Sequence, residues 1–392
     1  MMCIFQSFAA IKTYKIYHDS DYANHGESAR SINMGFTTAL AQYSAEFPDY
    51  RFEIIQKDHR GNSNRSRLHM KQFLADPDAL IMLGGLHSPP YIKYKDFINQ
   101  NKIPLLVPWA AGGPITRASS NENWIFRLSV DDTKAGFRIV DFAQKQLNCS
   151  KPHLLLEDTP WGKSNQKTMT KALENSDKPS ITWFNWGTKL NTAKIQLREI
   201  KQQNANCILF VGNAVEGRVF FEAMASLPKK NRLPIVSHWG ITGGNFFEAS
   251  KAFLFNDISL HFIQSCFSLR TKPHSQFTTK AVNTAKKLYP DVFDNVDALR
   301  APAGFIHSYD LARLFIDAFK QVDPDADIML ARKQLHHGLE NLKQPIQGLI
   351  KTYQRPFTAW QSDNPDAHEA LGLSDLCMAN YEQDGGISVR VN

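Results

Sequence analysis

Apolar residues run without interruption over 79–83 (ALIML) and 103–107 (IPLLV), the pattern of strands in a parallel sheet buried on both faces. The polar stretch between them has the length of a helix, so the unit closes as a right-handed crossover. The same alternation begins upstream, with a strand over 14–17, a polar loop DSDYANHGES and a helix from about residue 29 to 45. An alternating strand over 51–56 and a helix over 62–73, ended by Asp76-Pro77, complete the series. After IFRLSV at 125–130 the pattern restarts with a helix over 133–147 and a buried strand at 153–157. Strands at 182–186, 207–211 and 234–237 follow, separated by helices at 192–203 and 215–224. An apolar segment from residue 258 precedes two long helices, near 274–288 and 303–318. Repeated beta-alpha units of this kind predict a doubly wound α/β architecture.

In open parallel sheets, ligands sit in the crevice outside the carboxyl ends of the strands. That rule places Gly84-Gly85-Leu86-His87-Ser88 and Trp109-Ala110-Ala111-Gly112-Gly113 at one sheet edge. From Gly84 through Pro108 the chain resembles, without a gap, the type I periplasmic solute-binding proteins, specifically the branched-chain amino acid and amide-binding family of ABC transporters. The resemblance extends over nearly the whole chain. It implies two doubly wound, Rossmann-like lobes in a Venus-flytrap arrangement, joined by three hinge crossings. Residues 12–128 with 267–346 would form lobe 1, 129–266 with 347–392 lobe 2, and 1–11 a residual signal-like segment. A third crossing would come near Gln347-Gly348, where a terminal beta segment of the second lobe begins.

The resemblance also implies site residues. Ser88 matches the serine whose hydroxyl and backbone amide hold a ligand carboxylate, a task backbone N–H groups at a helix start share; the competing reading is an N-cap serine before Pro89. Ala110 and Ala111 match a second anchoring loop, where the family usually has Thr or Ser and this chain offers backbone donors alone. The acidic residue that pairs with a ligand ammonium is replaced by Trp239 in SHWGITGGN, leaving Glu216, Asp158 or Asp21 as substitutes. Trp161, in EDTPWGKS, matches an aromatic side chain that covers the ligand. With Trp109 and Trp239 it suggests an aromatic-walled site for an apolar or planar ligand, or for a cation over a ring; lobe packing is the alternative for each tryptophan. His87, Tyr22, His25 and Asn213 are further candidates from the same loops.

Composition narrows the class. The chain has 392 residues, enough for two cores, and its 45 basic and 38 acidic side chains are interleaved, as on a solvated surface and unlike a nucleic-acid binder. No run reaches the ~18 apolar residues of a membrane span. MMCIFQSFAA looks like the tail of a secretory signal whose basic beginning is missing. Of five cysteines, Cys149, Cys207, Cys266 and Cys377 lie in the body; they allow three pairings, with buried free thiols an equal alternative. Gly162-Lys163-Ser164 ends like a phosphate loop, but Glu157 stands where its leading glycine belongs, and dehydrogenase, serine-hydrolase and metalloprotease motifs are missing. The 13 histidines show no ligand spacing, and the adjacent His336-His337 read as surface or capping residues. The expectation is a monomeric periplasmic solute-binding protein, not an enzyme, without cofactor or metal. It would close its lobes on a small organic ligand (an amino acid or related carboxylate or amide, aromatic ones included) and present it to an ABC permease in the inner membrane. The alternative is a sensing module that signals to a membrane receptor.

Overall fold

The structure, a computed structural model, describes residues 11–117, 122–175 and 178–390. Cys3 and nearly all of the signal-like segment lie outside the described residues. The first sheet comprises β1 (Lys12–Ser20), β2 (Tyr50–Asp58), β3 (Ala79–Gly84), β4 (Leu105–Val107) and β5 (Ile125–Arg127), all parallel, in the order β2-β1-β3-β4-β5. Helices α1 (Gly26–Gln42), α2 (Ser63–Ala75) and the short α3 (Pro89–Lys93) and α4 (Lys95–Gln100) make its crossovers. Every residue of β3 is buried, as its apolar run requires.

The chain then enters a second sheet through α5 (Asp132–Leu147). The parallel strands β6 (Pro152–Glu157), β7 (Ser180–Phe184), β8 (Cys207–Val211), β9 (Ile235–Ser237) and β10 (Leu260–Ser265) alternate with α6 (Pro160–Ala172), α7 (Leu190–Gln202), α8 (Ala214–Ala225) and α9 (Phe246–Leu254). Next come α10 (Gln276–Leu288), α11 (Pro302–Phe319) and α12 (Ile328–Glu340), which return to the first lobe. There α11 closes on α1 so tightly that a Cβ on Gly35 would fall 2.2 Å from the carbonyl oxygen of Phe305, so only glycine fits. A ribbon of β11 (Ile346–Gln347) and β12 (Thr352–Tyr353) follows, and β13 (Leu376–Tyr381) and β14 (Ile387–Arg390) finish the second sheet, in the order β14-β13-β10-β9-β8-β6-β7. Both final strands run antiparallel to their neighbours.

Three sequence expectations shift. The beta segment expected to begin at Gln347 in the second lobe is instead the small ribbon, held against α11. The buried Asp310 carboxylate accepts hydrogen bonds from Ile350 N at 3.0 Å and Tyr353 Oη at 2.7 Å, and no apolar alternation over 346–353 could announce that polar tie. Trp161, expected in a loop, lies in the first turn of α6, because Thr159 caps the helix by accepting from Gly162 N and Pro160 suits its first position. His336 and His337 lie within α12 rather than capping it; His336 stacks on Trp124 at 4.2 Å and bonds to Asn123 O at 2.8 Å.

The crossing between the lobes is pinned by buried charge. Arg127, at the end of β5, reaches Glu369 at 2.6 Å and Asp131 at 2.8 Å, and Arg117 and Lys134 also reach Asp131. Burial opposes ionisation of Asp131, but these three cations hold its carboxyl well below the usual range. Disulfides Cys149–Cys207 and Cys266–Cys377 both staple the second lobe, selecting one of the three pairings and displacing the free-thiol reading. Such bonds persist in oxidising compartments.

Candidate functional site

The carboxyl ends of β1 to β4 face those of β6 to β9, and the loops after these strands bound two separate spaces. At β3, Gly85 passes so close to β1 that a Cβ would meet Ser20 Oγ at 2.4 Å, which draws the two strand ends together.

The narrower space holds only about 10 Å³ and is bordered by Ser88, Trp109, Ala111, Trp161, Asn213 and Trp239, with His87 and Glu157 also at its wall. Trp109 and Trp239, each 1% exposed, meet across it with ring centroids 5.4 Å apart. Trp161 donates its indole N–H to Asp132 Oδ1 at 3.3 Å. Ser88 stands at the N-cap position of α3, yet its hydroxyl makes no cap bond and instead accepts from Gly112 N at 3.0 Å, tying together the two loops expected to anchor a carboxylate. Seven sequence candidates therefore converge here: His87, Ser88, Trp109, Ala111, Trp161, Asn213 and Trp239. Ala110 and Tyr22 border neither space. The carbonyl of Ala110 accepts from Arg127 Nη1 at 3.4 Å, and the hydroxyl of Tyr22 lies 2.7 Å from His18 Nδ1.

The wider space holds about 420 Å³. Its first-lobe wall carries Asp21, Asn24, His25, Arg60 and His87, and its second-lobe wall Trp186, Glu216 and Arg218. Trp186, 42% exposed, lies over Gly61, whose missing Cβ would sit 3.0 Å from the indole, and its ring is 5.2 Å from that of His87. Gly61 has φ 70°, a conformation glycine adopts without strain. Asp21 accepts from Asn24 N at 2.9 Å, from the Asn24 amide at 3.0 Å and from His87 Nε2 at 3.1 Å. Burial opposes ionisation of Asp21, but these donors outweigh it and hold the carboxyl low. His25, edge-on to His87 at 4.9 Å, is pushed down to about 3 by burial, and so stays neutral. In the second lobe, burial pushes Glu157 up to about 7 and also raises Glu216, which accepts from Gly187 N at 3.1 Å. Of the acidic substitutes considered from sequence, Asp21 and Glu216 face this space, whereas Asp158 is exposed, 3.6 Å from Lys163.

Sequence reasoning missed Asn24, Arg60, Trp186 and Arg218. For Trp186 the signal was present: the strand read as 182–186 ends at Phe184, so Trp186 occupies the same post-strand position that singled out Trp109 and Trp239.

A family model described as Periplasmic binding protein matches residues 19–240, more than half of the chain. The chain belongs to the periplasmic binding protein family. As a member of it, this is a solute-binding protein of an extracytoplasmic family. Its fold is shared by a type 1 periplasmic binding protein from Bordetella pertussis Tohama I, 16% identical, covering 96% of this chain and 99% of that one, with a TM-score of 0.79. A possible leucine/isoleucine/valine-binding protein from Rhodopirellula baltica SH 1 is 13% identical with a TM-score of 0.78, covering 98% of each chain. An ABC transporter solute-binding protein from R. palustris, in complex with 4-hydroxybenzoate, is 14% identical with a TM-score of 0.75, covering 96% of this chain and 95% of that one. At such identities these likenesses concern the two-lobed fold. No curated protein matches the sequence significantly. Among the described residues, no helix of this periplasmic binding protein is long and apolar enough to cross a membrane.

Proposed function

We propose that this periplasmic binding protein is the solute receptor of an ABC importer, closing its lobes on a small organic carboxylate or amide and presenting it to a permease in the inner membrane. One observation carries the reading: the wide cavity, about 420 Å³, takes its walls from both lobes. A molecule of small-ligand size fits such a volume. Because it would touch both lobes, its binding energy favours closure by the difference between its contacts in the closed and open forms. The guanidinium groups of Arg60 and Arg218 suit a carboxylate, and the Trp186 ring suits a planar or apolar portion. Asp21 and Glu216 stand where an ammonium group could pair. A carboxylate ligand also accords with the R. palustris protein in complex with 4-hydroxybenzoate and a Streptococcus pneumoniae LivJ in complex with isoleucine.

The test is a thermal-shift panel of amino acids, aromatic carboxylates and amides on protein refolded free of ligand. A ligand at 100 times its Kd adds about 2.7 kcal/mol, which moves the midpoint by about 2–4 °C for a protein of this size class. The shift should vanish in Arg218→Ala and survive in Ser88→Ala. The reverse pattern would place capture among the tryptophans and overturn the assignment to the wide cavity.

A further inference from the structure

We propose, building on the wide cavity as the place of capture, that Asp21, His25 and His87 bind a divalent transition-metal ion, to which the captured solute adds its carboxylate as a further ligand. One donor atom from each of the three residues lies within 4.8 Å of the other two, and all three residues are buried. His87 Nε2 and Asp21 Oδ2 are 3.1 Å apart, a separation that two donors each about 2.1 Å from one ion span with little movement. Two imidazoles and one carboxylate form a donor set suited to zinc and its first-row neighbours, whereas calcium and magnesium prefer oxygen alone.

A second, independent observation points the same way. His25 is 6% exposed, and its Nδ1 is buried with no hydrogen-bond partner. A buried polar nitrogen without a partner is costly, and coordination would satisfy it. The outer shell is also in place: Asn24 grips Asp21 through its backbone N–H and its side-chain amide, the kind of support that orients a metal-binding carboxylate. Three protein ligands leave a position open. Here that position faces the wide cavity, where a solute carboxylate, oriented by Arg60 and Arg218, would complete the coordination. Across the cavity, Glu216 of the second lobe has no ion-pair partner among the described residues, so a cation on the first lobe would also draw the lobes together. Sequence spacing concealed the set, because Asp21 and His25 follow β1 while His87 follows β3.

The test uses chelator-treated full-length protein titrated with Zn²⁺ by calorimetry and with Co²⁺ by visible absorption. One ion per chain should bind, with a ligand-field spectrum of mixed nitrogen and oxygen donors. Asp21→Asn, His25→Gln and His87→Gln should each weaken binding by more than about 100-fold, and Asn24→Ala by about 10–100-fold, the usual cost of losing an outer-shell partner. His337→Gln, at an exposed position of α12, should leave it unchanged. Circular dichroism and melting of each variant without metal separate lost ligation from lost fold. No stoichiometric binding by the wild-type chain, or binding that survives all three ligand substitutions in folded protein, would overturn the proposal. The organic panel, run in parallel with chelator present, keeps the two readings apart. Stabilisation of metal-free protein by an organic ligand, without Zn²⁺ binding, would sink the metal site and leave solute capture standing.

Discussion

The two spaces between the lobes differ in what fills them. Around Ser88 the tryptophans of both lobes meet and leave about 10 Å³, while a short distance away, around Asp21 and His87, about 420 Å³ stays open between charged and aromatic side chains. His87 borders both. The contrast teaches that a residue at the carboxyl end of a strand, the right address for a ligand contact, can equally serve as packing that sets how far the lobes close. Trp109 and Trp239 are core-like in exposure, and Trp186 is not.

The strongest way to break this contrast is Trp239→Ala. If the indole is packing, its removal should cost about 3–5 kcal/mol in denaturant unfolding, as large aromatic truncations in a core do, while ligand affinity measured on folded protein changes little. A cost below about 1 kcal/mol would mean the narrow space is a site kept for a ligand.

Glu157, at the wall of the narrow space, tests the same contrast through pH. Its carboxyl is raised by burial to about 7 from an ordinary 4.5, so the folded state favours the neutral form. That contribution is fully present below pH about 4.5 and is lost as pH rises to about 7, a total of about 3 kcal/mol. Buried histidines act with the opposite sign: His18 and His307 are pushed down to about 3 by burial, so their contribution is present above pH about 6.5 and is lost as pH falls. Subtracting the stability–pH curve of Glu157→Gln from that of the wild type removes the histidines and should leave a fall of about 3 kcal/mol between pH 4.5 and 7. A flat difference would show Glu157 to be ionised and solvated.

Ser88→Ala sharpens the comparison with a smaller effect. Loss of the bond from Gly112 N should cost about 1 kcal/mol, with ligand affinity preserved. A large loss of affinity at unchanged stability would return Ser88 to the role its sequence position implies.

Trp186→Ala has the smallest expected effect on stability, within about 0.5 kcal/mol for an exposed side chain. Ligand affinity, read by calorimetry, should nevertheless fall about tenfold, the equivalent of 1.4 kcal/mol of contact. Stability and affinity thus change in opposite proportion at Trp239 and Trp186.

The fold was legible wherever burial leaves a local trace. Runs such as 79–83 and 207–211 have no polar interruption because both faces of a central parallel strand are covered, and the structure places β3 and β8 there. Ser88, Ala111 and Trp239 could be placed at strand ends for the same reason. Arg218 could not, since nothing in the helical pattern of α8 tells which residues of its N-terminal half face the other lobe. The ribbon at 346–353 was misplaced because Asp310, far away in sequence, holds it.

What the sequence by itself determined is the alternation of buried strands and amphipathic helices, hence two wound sheets and the loops that overhang their carboxyl ends. Periodicity reports whether a residue is buried and on which face of its own element. The tertiary structure alone decided that Asp21, His25 and His87 converge, that the tryptophans after β4 and in the turn after β9 close one space, and that Trp186 and Glu216 wall another. Those distances depend on how the two sheets are set against each other across the Arg127, Asp131 and Glu369 hinge, and no local pattern along the chain encodes that separation.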